Sequence, residues 1–240
     1  MTYQAQSSLP LPLSDVQLGE TFAALMRRVY LWMAIGLYLT AGVAFFVANS
    51  SLALVILGNP ILYIGLFLGE LALVIALSAA IHRLAPTTAI ALFLLYAVLN
   101  GATMSVIFLV YTLTDITLAF VSSATLFAAM SFLGYFVRLD LSRLGAFLIM
   151  GLVGLVIATF VNLFLANSSL MWITTYAGIA LFIGLTVYDT QRIKKTMTAS
   201  LAAGDEQVVT RLGVLGALTL YLDFINLFLL ILRLIGRRRR

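Results

Sequence analysis

Seven long apolar runs constrain this chain more than any motif does. A hydrocarbon core about 30 Å thick takes about 20 helical residues to cross. Runs of that order cover approximately residues 29–48, 61–81, 88–111, 116–137, 144–166, 171–188 and 212–235. The breaks carry turn and cap residues: Asn49-Ser50-Ser51, Gly58-Asn59-Pro60, Pro86, Thr114-Asp115, the 138–143 segment and Asn167-Ser168-Ser169. The longest break, 191–211, contains Lys194, Lys195, Gly204, Asp205 and Glu206 and reads as a solvated loop. The alternation of a membrane β-barrel is absent, so the runs are helices. With connections this short they form an antiparallel bundle, and the expected fold is an all-α membrane protein of seven transmembrane helices.

Composition agrees. Hydrophobic residues make up 63% of the 240 and charged residues 10%, against about 25% charged in soluble domains. The absence of cysteine excludes disulfides, zinc–thiolate centres and thiol catalysis. One histidine, His82, excludes a multi-histidine metal site. The net charge of +5 is not a nucleic-acid footprint, because the basic residues sit at span ends. No Gly-rich phosphate loop, His-Glu-x-x-His or Gly-x-Ser-x-Gly occurs. Tyr188-Asp189 matches half of a membrane aspartyl protease site, but Asp223 stands in Leu220-Tyr221-Leu222-Asp223-Phe224 rather than Gly-x-Gly-Asp. No enzymatic activity, tightly bound cofactor or nucleic-acid partner is expected.

Three parts follow: a flexible cytoplasmic leader at 1–28 with Pro10 and Pro12, a transmembrane domain at 29–236, and the basic tail Arg237–Arg240. With the N-terminus in the cytoplasm of a multi-pass cell (inner) membrane protein, the inner segments hold Arg27, Arg28, Arg83, Arg138, Arg143, Arg192, Lys194, Lys195 and Arg211. The outer loops, 49–60, 112–115 and 167–170, hold no lysine or arginine. Seven crossings place the four-arginine tail outside, an exception to the rule.

Carboxylates inside the spans are the candidate site. One at the centre of a membrane helix costs about 2.5–3.5 kcal/mol on insertion scales and normally pairs, takes a proton or lines a water path. Asp223 lies near the middle of the last run. With Gly216, Thr219, Asn226 and Arg233 it forms one small and polar stripe at helical spacing. Such a stripe faces other helices, as a structural network or as a proton or cation site. Glu70 sits midway along the second run at a similar depth, either meeting Asp223 or donating one structural hydrogen bond as a neutral acid. Asp189 closes the sixth run and looks interfacial, with Arg192 one turn on as a natural ion-pair partner. Two carboxylates that meet in low dielectric cannot both stay ionised; they share a proton and titrate as a unit. They also offer hard oxygen ligands suited to calcium, although backbone carbonyls or water must complete the shell. A short repeat, Ala-Asn-Ser-Ser-Leu at 48–52 and 166–170, precedes Glu70 and Asp189 by similar intervals. It reads either as chance or as a trace of duplication.

At these residues the chain resembles a known family. Leu218–Phe228 (Leu-Thr-Leu-Tyr-Leu-Asp-Phe-Ile-Asn-Leu-Phe) and Gly184–Gln191 (Gly-Leu-Thr-Val-Tyr-Asp-Thr-Gln) resemble the Bax inhibitor-1 (TMBIM) family, in its bacterial YbhL/YccA-like branch, and the likeness runs from about residue 30 to 238. The resemblance implies a seven-helix bundle with the last helix central, and a pH-sensitive calcium leak with calcium as permeant ion. It implies that Asp189 and Asp223 are the pH-sensing, ion-binding pair; the depth and stripe readings add Glu70, Thr219 and Asn226 as supporting residues. It also implies links to stress: eukaryotic relatives suppress cell death, and YccA-type relatives modulate a membrane-bound protease. Besides the lipid bilayer and a cation, a membrane protease or other membrane protein is therefore a candidate partner. Some relatives latch a basic residue onto the pair from the end of the second span. Here Ile81 takes that position, leaving Arg83 or His82 to substitute. A non-conducting regulator and a proton-coupled transporter stand beside the leak as alternatives.

Overall fold

The computed structural model describes residues 15–81, 83–136, 141–202 and 206–236. Among them the chain forms nine helices: α1 (Asp15–Ala48), α2 (Leu52–Gly58), α3 (Pro60–Ala80), α4 (Pro86–Met104), α5 (Val106–Val110), α6 (Leu113–Phe136), α7 (Ser142–Leu165), α8 (Ser168–Ala202) and α9 (Glu206–Ile235). Local chemistry sets the ends. Pro60 and Pro86 occupy first turns, where a missing N–H is harmless. Asn59 caps α3 by accepting from the Ile61 and Leu62 amides at 3.1 and 3.2 Å. Ala166 closes α7 in the left-handed region, at φ 47°, and the Asn167 side chain then accepts the Leu170 amide at the start of α8, 3.0 Å away.

Seven stretches are long and apolar enough to cross a membrane: Ala23–Ala48, Pro60–Ala80, Pro86–Val110, Leu113–Phe136, Leu144–Leu165, Ser168–Leu201 and Val208–Ile235. The third contains both α4 and α5, which meet at the buried Ser105. The all-helical, seven-span expectation therefore holds.

The last helix is central. In its most apolar window 67% of residues are buried, against 11% for α3 and for the window beginning at Leu144 in α7. It packs against α8, α1, α6 and α4, whereas α3 rests on α4 and α2, and α7 on α8. Leu218, Leu220, Tyr221, Leu227 and Leu232 of α9 are almost wholly enclosed. Helices α3 and α7 instead expose Phe67, Leu68, Phe160 and Phe164, an outward apolar face suited to lipid.

Three boundaries differ from the sequence reading. The expected loop at 191–211 is helix on both sides of residues 203–205. Ile193 and Met197 recur at a four-residue interval and are buried, although Arg192 precedes them and Lys194 and Lys195 stand between them. Helix α1 begins at Asp15, inside the segment assigned to a flexible leader. The loop after α1 contains the short helix α2, with Ala53 and Ile56 buried and Leu54 and Val55 outward. His82, Arg138, residues 1–14 and the tail Arg237–Arg240 lie outside the described residues.

Candidate proton-binding carboxyl site

Continuation of α8 to Ala202 changes the setting of Asp189. It is not at a helix end but 21 residues after Ser168 in a 35-residue helix. Small residues bring its neighbours close. A Cβ on Gly134 of α6 would lie 2.5 Å from the Val187 carbonyl oxygen and 3.0 Å from Thr190 Cβ. On the other side, a Cβ on Gly216 of α9 would meet Ile193 at 3.2 Å. Helix α8 is thus clamped between α6 and α9 at the level of the aspartate. A hydroxyl chain reinforces the clamp: Tyr30 of α1 bonds to Ser131 of α6, which bonds to Thr190 of α8 at 3.0 Å.

The carboxyl groups of Asp189 and Asp223 face each other within hydrogen-bonding reach. Both residues are buried, at 8% and 4% exposure. An ionised carboxylate only accepts hydrogen bonds, so a bond between two carboxyls contains a proton. The Asp223 Oδ2 atom is buried and has no hydrogen-bond partner. The interfacial ion-pair picture of Asp189 is therefore replaced by a buried acid pair. Arg192 still acts on Asp189 electrostatically while its own side chain is exposed.

A cavity of about 370 Å³ opens beside the pair, lined by Asp189, Arg192, Thr196, Gly216, Thr219 and Ser78 among others. Two members of the polar stripe on α9, Gly216 and Thr219, thus face it. Thr219 Oγ1 donates to the Leu215 carbonyl of its own helix at 3.0 Å. Asn226 donates to the Leu222 carbonyl of its own helix at 2.8 Å. Arg233 is exposed.

Glu70 does not join Asp223. It is 7% exposed and its carboxylate oxygens accept from Asn100 Nδ2 at 3.1 Å and Thr103 Oγ1 at 2.7 Å, both on α4. The Asn100 amide continues to Tyr221 of α9, whose hydroxyl donates to Oδ1 at 2.9 Å. Tyr221 also contacts Thr40 Oγ1 of α1 at 2.7 Å. Sequence reading missed Thr40, Asn100, Thr103 and Tyr221. The available signal was an asparagine inside an apolar run, which demands a partner as a carboxylate does. Arg83 is exposed and is not among the groups acting on Asp189, and Ile81 is enclosed at 1%. Arg83 therefore makes no latch on the pair in this structure.

The repeat also dissolves in three dimensions. Its first copy leads into α2, with Glu70 one helix later on α3, whereas its second copy leads directly into α8, which carries Asp189.

Fold and site together define a class: a seven-span membrane protein whose central last helix shares a buried acid pair with the helix before it. Residues 23–240 match the family model described as inhibitor of apoptosis-promoting Bax1, and the chain belongs to this Bax inhibitor-1 family. It is 47% identical over 231 residues to the inner membrane protein YbhL of Escherichia coli K12, covering 95% of this chain and 98% of the relative. An uncharacterised protein of Borreliella burgdorferi is 40% identical, with coverage of 89% and 92%. An uncharacterised membrane protein of Streptococcus pyogenes serotype M3 is 36% identical, with coverage of 93% and 95%. The E. coli relative's name places that protein in the inner membrane.

Proposed function

We propose that this protein is a pH-sensitive cation leak in the inner membrane, with calcium as the ion whose chemistry fits best. The Asp189–Asp223 pair is its proton-sensitive element. The observation that carries this reading is the juxtaposition of two buried carboxyls on different long helices, beside a cavity. The bonded pair holds one proton. A state with the carboxylates apart holds fewer, so rising pH favours separation of α8 from α9 at this level. Separation turns the pair into two anionic oxygen ligands next to threonine hydroxyls. Calcium takes six to eight oxygens in resident sites. Two carboxyl groups are too few for such a site and suit an ion that passes.

The test is calcium flux into liposomes holding the purified protein, between about pH 5 and 8. The expected result is a pH-dependent flux whose profile flattens in both Asp189→Asn and Asp223→Asn. A profile unchanged in both variants removes the pair from the mechanism. Absence of flux in pure liposomes, with a membrane protein recovered as a stable partner, supports a non-conducting regulator instead.

A further inference from the structure

The hydrogen bonds around Glu70 obey a proton count. Four contacts run in series from its carboxyl: Glu70 to Asn100 at 3.1 Å, Asn100 to Tyr221 at 2.9 Å, Tyr221 to Thr40 at 2.7 Å, and Thr40 to the Ala97 carbonyl oxygen at 2.9 Å. Each needs one hydrogen. Between the two ends stand three donors: one N–H of the Asn100 amide, the Tyr221 hydroxyl and the Thr40 hydroxyl. The Ala97 carbonyl can only accept. If Glu70 is an anion it too can only accept, and four contacts share three hydrogens. One oxygen–oxygen contact is then left without a proton between its atoms. Thr40, Glu70, Asn100 and Tyr221 are all at most 8% exposed, so bulk water does not make good the deficit.

A neutral glutamic acid supplies the missing hydrogen. Its O–H donates to the Asn100 side-chain oxygen, with the amide turned over to present its nitrogen to Tyr221; the two amide orientations have nearly the same shape. Asn100 then donates to Tyr221, Tyr221 to Thr40, and Thr40 to Ala97, so all four contacts are filled in one direction. Outside this series, Thr103 shares its one hydroxyl hydrogen between the other carboxyl oxygen at 2.7 Å and the Asn100 backbone carbonyl at 3.0 Å, in either protonation state of Glu70. When the proton leaves, the amide turns back, Tyr221 donates to Asn100, and Thr40 must choose between Tyr221 and Ala97.

From this count we infer that Glu70 is a second proton-binding site, separate from the aspartate pair, whose occupancy sets the direction of a hydrogen-bond chain from α3 through α4 to α9 and α1. Among the described residues, the titratable groups facing it are Tyr63 of α3, Tyr96 of α4 and Tyr221 of α9. Helix α2, which also packs on α3, has the sequence Leu-Ala-Leu-Val-Ile-Leu-Gly and carries no titratable side chain. The hydrogen-bond partners of the carboxyl among the described residues are the neutral Asn100 and Thr103. The inference does not depend on conduction. It gives α9 two proton inputs, at Asp223 and at Tyr221 two residues earlier.

Infrared spectroscopy of the full-length protein in lipid tests it, read in the protonated-carboxyl stretch between about pH 5 and 8. The double variant Asp189→Asn/Asp223→Asn is expected to keep one such band, and adding Glu70→Gln is expected to abolish it. Tyr221→Phe, which deletes two links, is expected to shift that band. If the double variant does not fold, the single Glu70→Gln difference spectrum against wild type gives the same reading. No protonated-carboxyl band assignable to Glu70 across that range overturns the site. A Glu70 band unmoved by Tyr221→Phe overturns the chain.

Discussion

At Asp223 enclosure and the neighbouring carboxyl set the chemistry: Oδ2 is buried without a hydrogen-bond donor, and the carboxyl group lies against Asp189. An asparagine there still presents an N–H toward an ionised Asp189, whereas alanine leaves a buried carboxyl without its partner. Asp223→Ala is therefore expected to lose about 1–3 kcal/mol of stability relative to Asp223→Asn, measured by thermal unfolding in detergent at neutral pH. Gly134 is as sensitive for a steric reason. Gly134→Ala forces a methyl into backbone of α8 and is expected to cost about 1–3 kcal/mol. Gly42→Ala, where a Cβ meets nothing within 4 Å, should melt close to wild type. Asp223 was legible in the sequence because a charge deep in an apolar run has one sensible place to point. The enclosure of Asp189 was not, since Arg192 and the lysines beyond it mimic a membrane boundary. Only the buried Ile193 and Met197 carried the opposite signal.

Among the elements, the helix ends were the legible part: Pro60, Pro86, Asn59 and Asn167 stand where their side chains dictate. The exception is Ala166, the one non-glycine residue at positive φ among the described residues. An L side chain in that region costs about 1–2 kcal/mol, and glycine removes most of it. Ala166→Gly is expected to raise stability by about 1 kcal/mol, read as a higher melting temperature. Helix α8 poses the converse case. At 35 residues it is about 52 Å long, well beyond a hydrocarbon core of about 30 Å. Apolar-run counting measures only the part in lipid and truncates such a helix at its first cluster of charges.

In the whole molecule, stability is distributed unevenly. Truncating an enclosed side chain of α9, as in Leu220→Ala, is expected to cost about 2–5 kcal/mol. Outward changes on α7, such as Phe164→Leu, should stay within about 0.5 kcal/mol. Thermal unfolding of both variants in one lipid or detergent system checks the contrast. Seven spans could be counted from one-dimensional apolarity, but the identity of the hub could not. What marks α9 is polar residues on several faces at once, Asp223 toward α8 and Tyr221 toward α4 and α1.

The projecting end of α8 has a consequence at a distance. Ile193 and Met197 belong to one hydrophobic cluster with Val209 and Val214 of α9, so the hairpin continues the same two helices that hold the aspartates. A molecule that grips this hairpin more tightly in one arrangement of the pair alters how firmly the pair keeps its proton. By thermodynamic reciprocity the proton alters that grip by the same factor. If the pair binds a proton as proposed, acidity at the buried acids and occupancy at the far end of α8 and α9 are two readings of one coupling free energy.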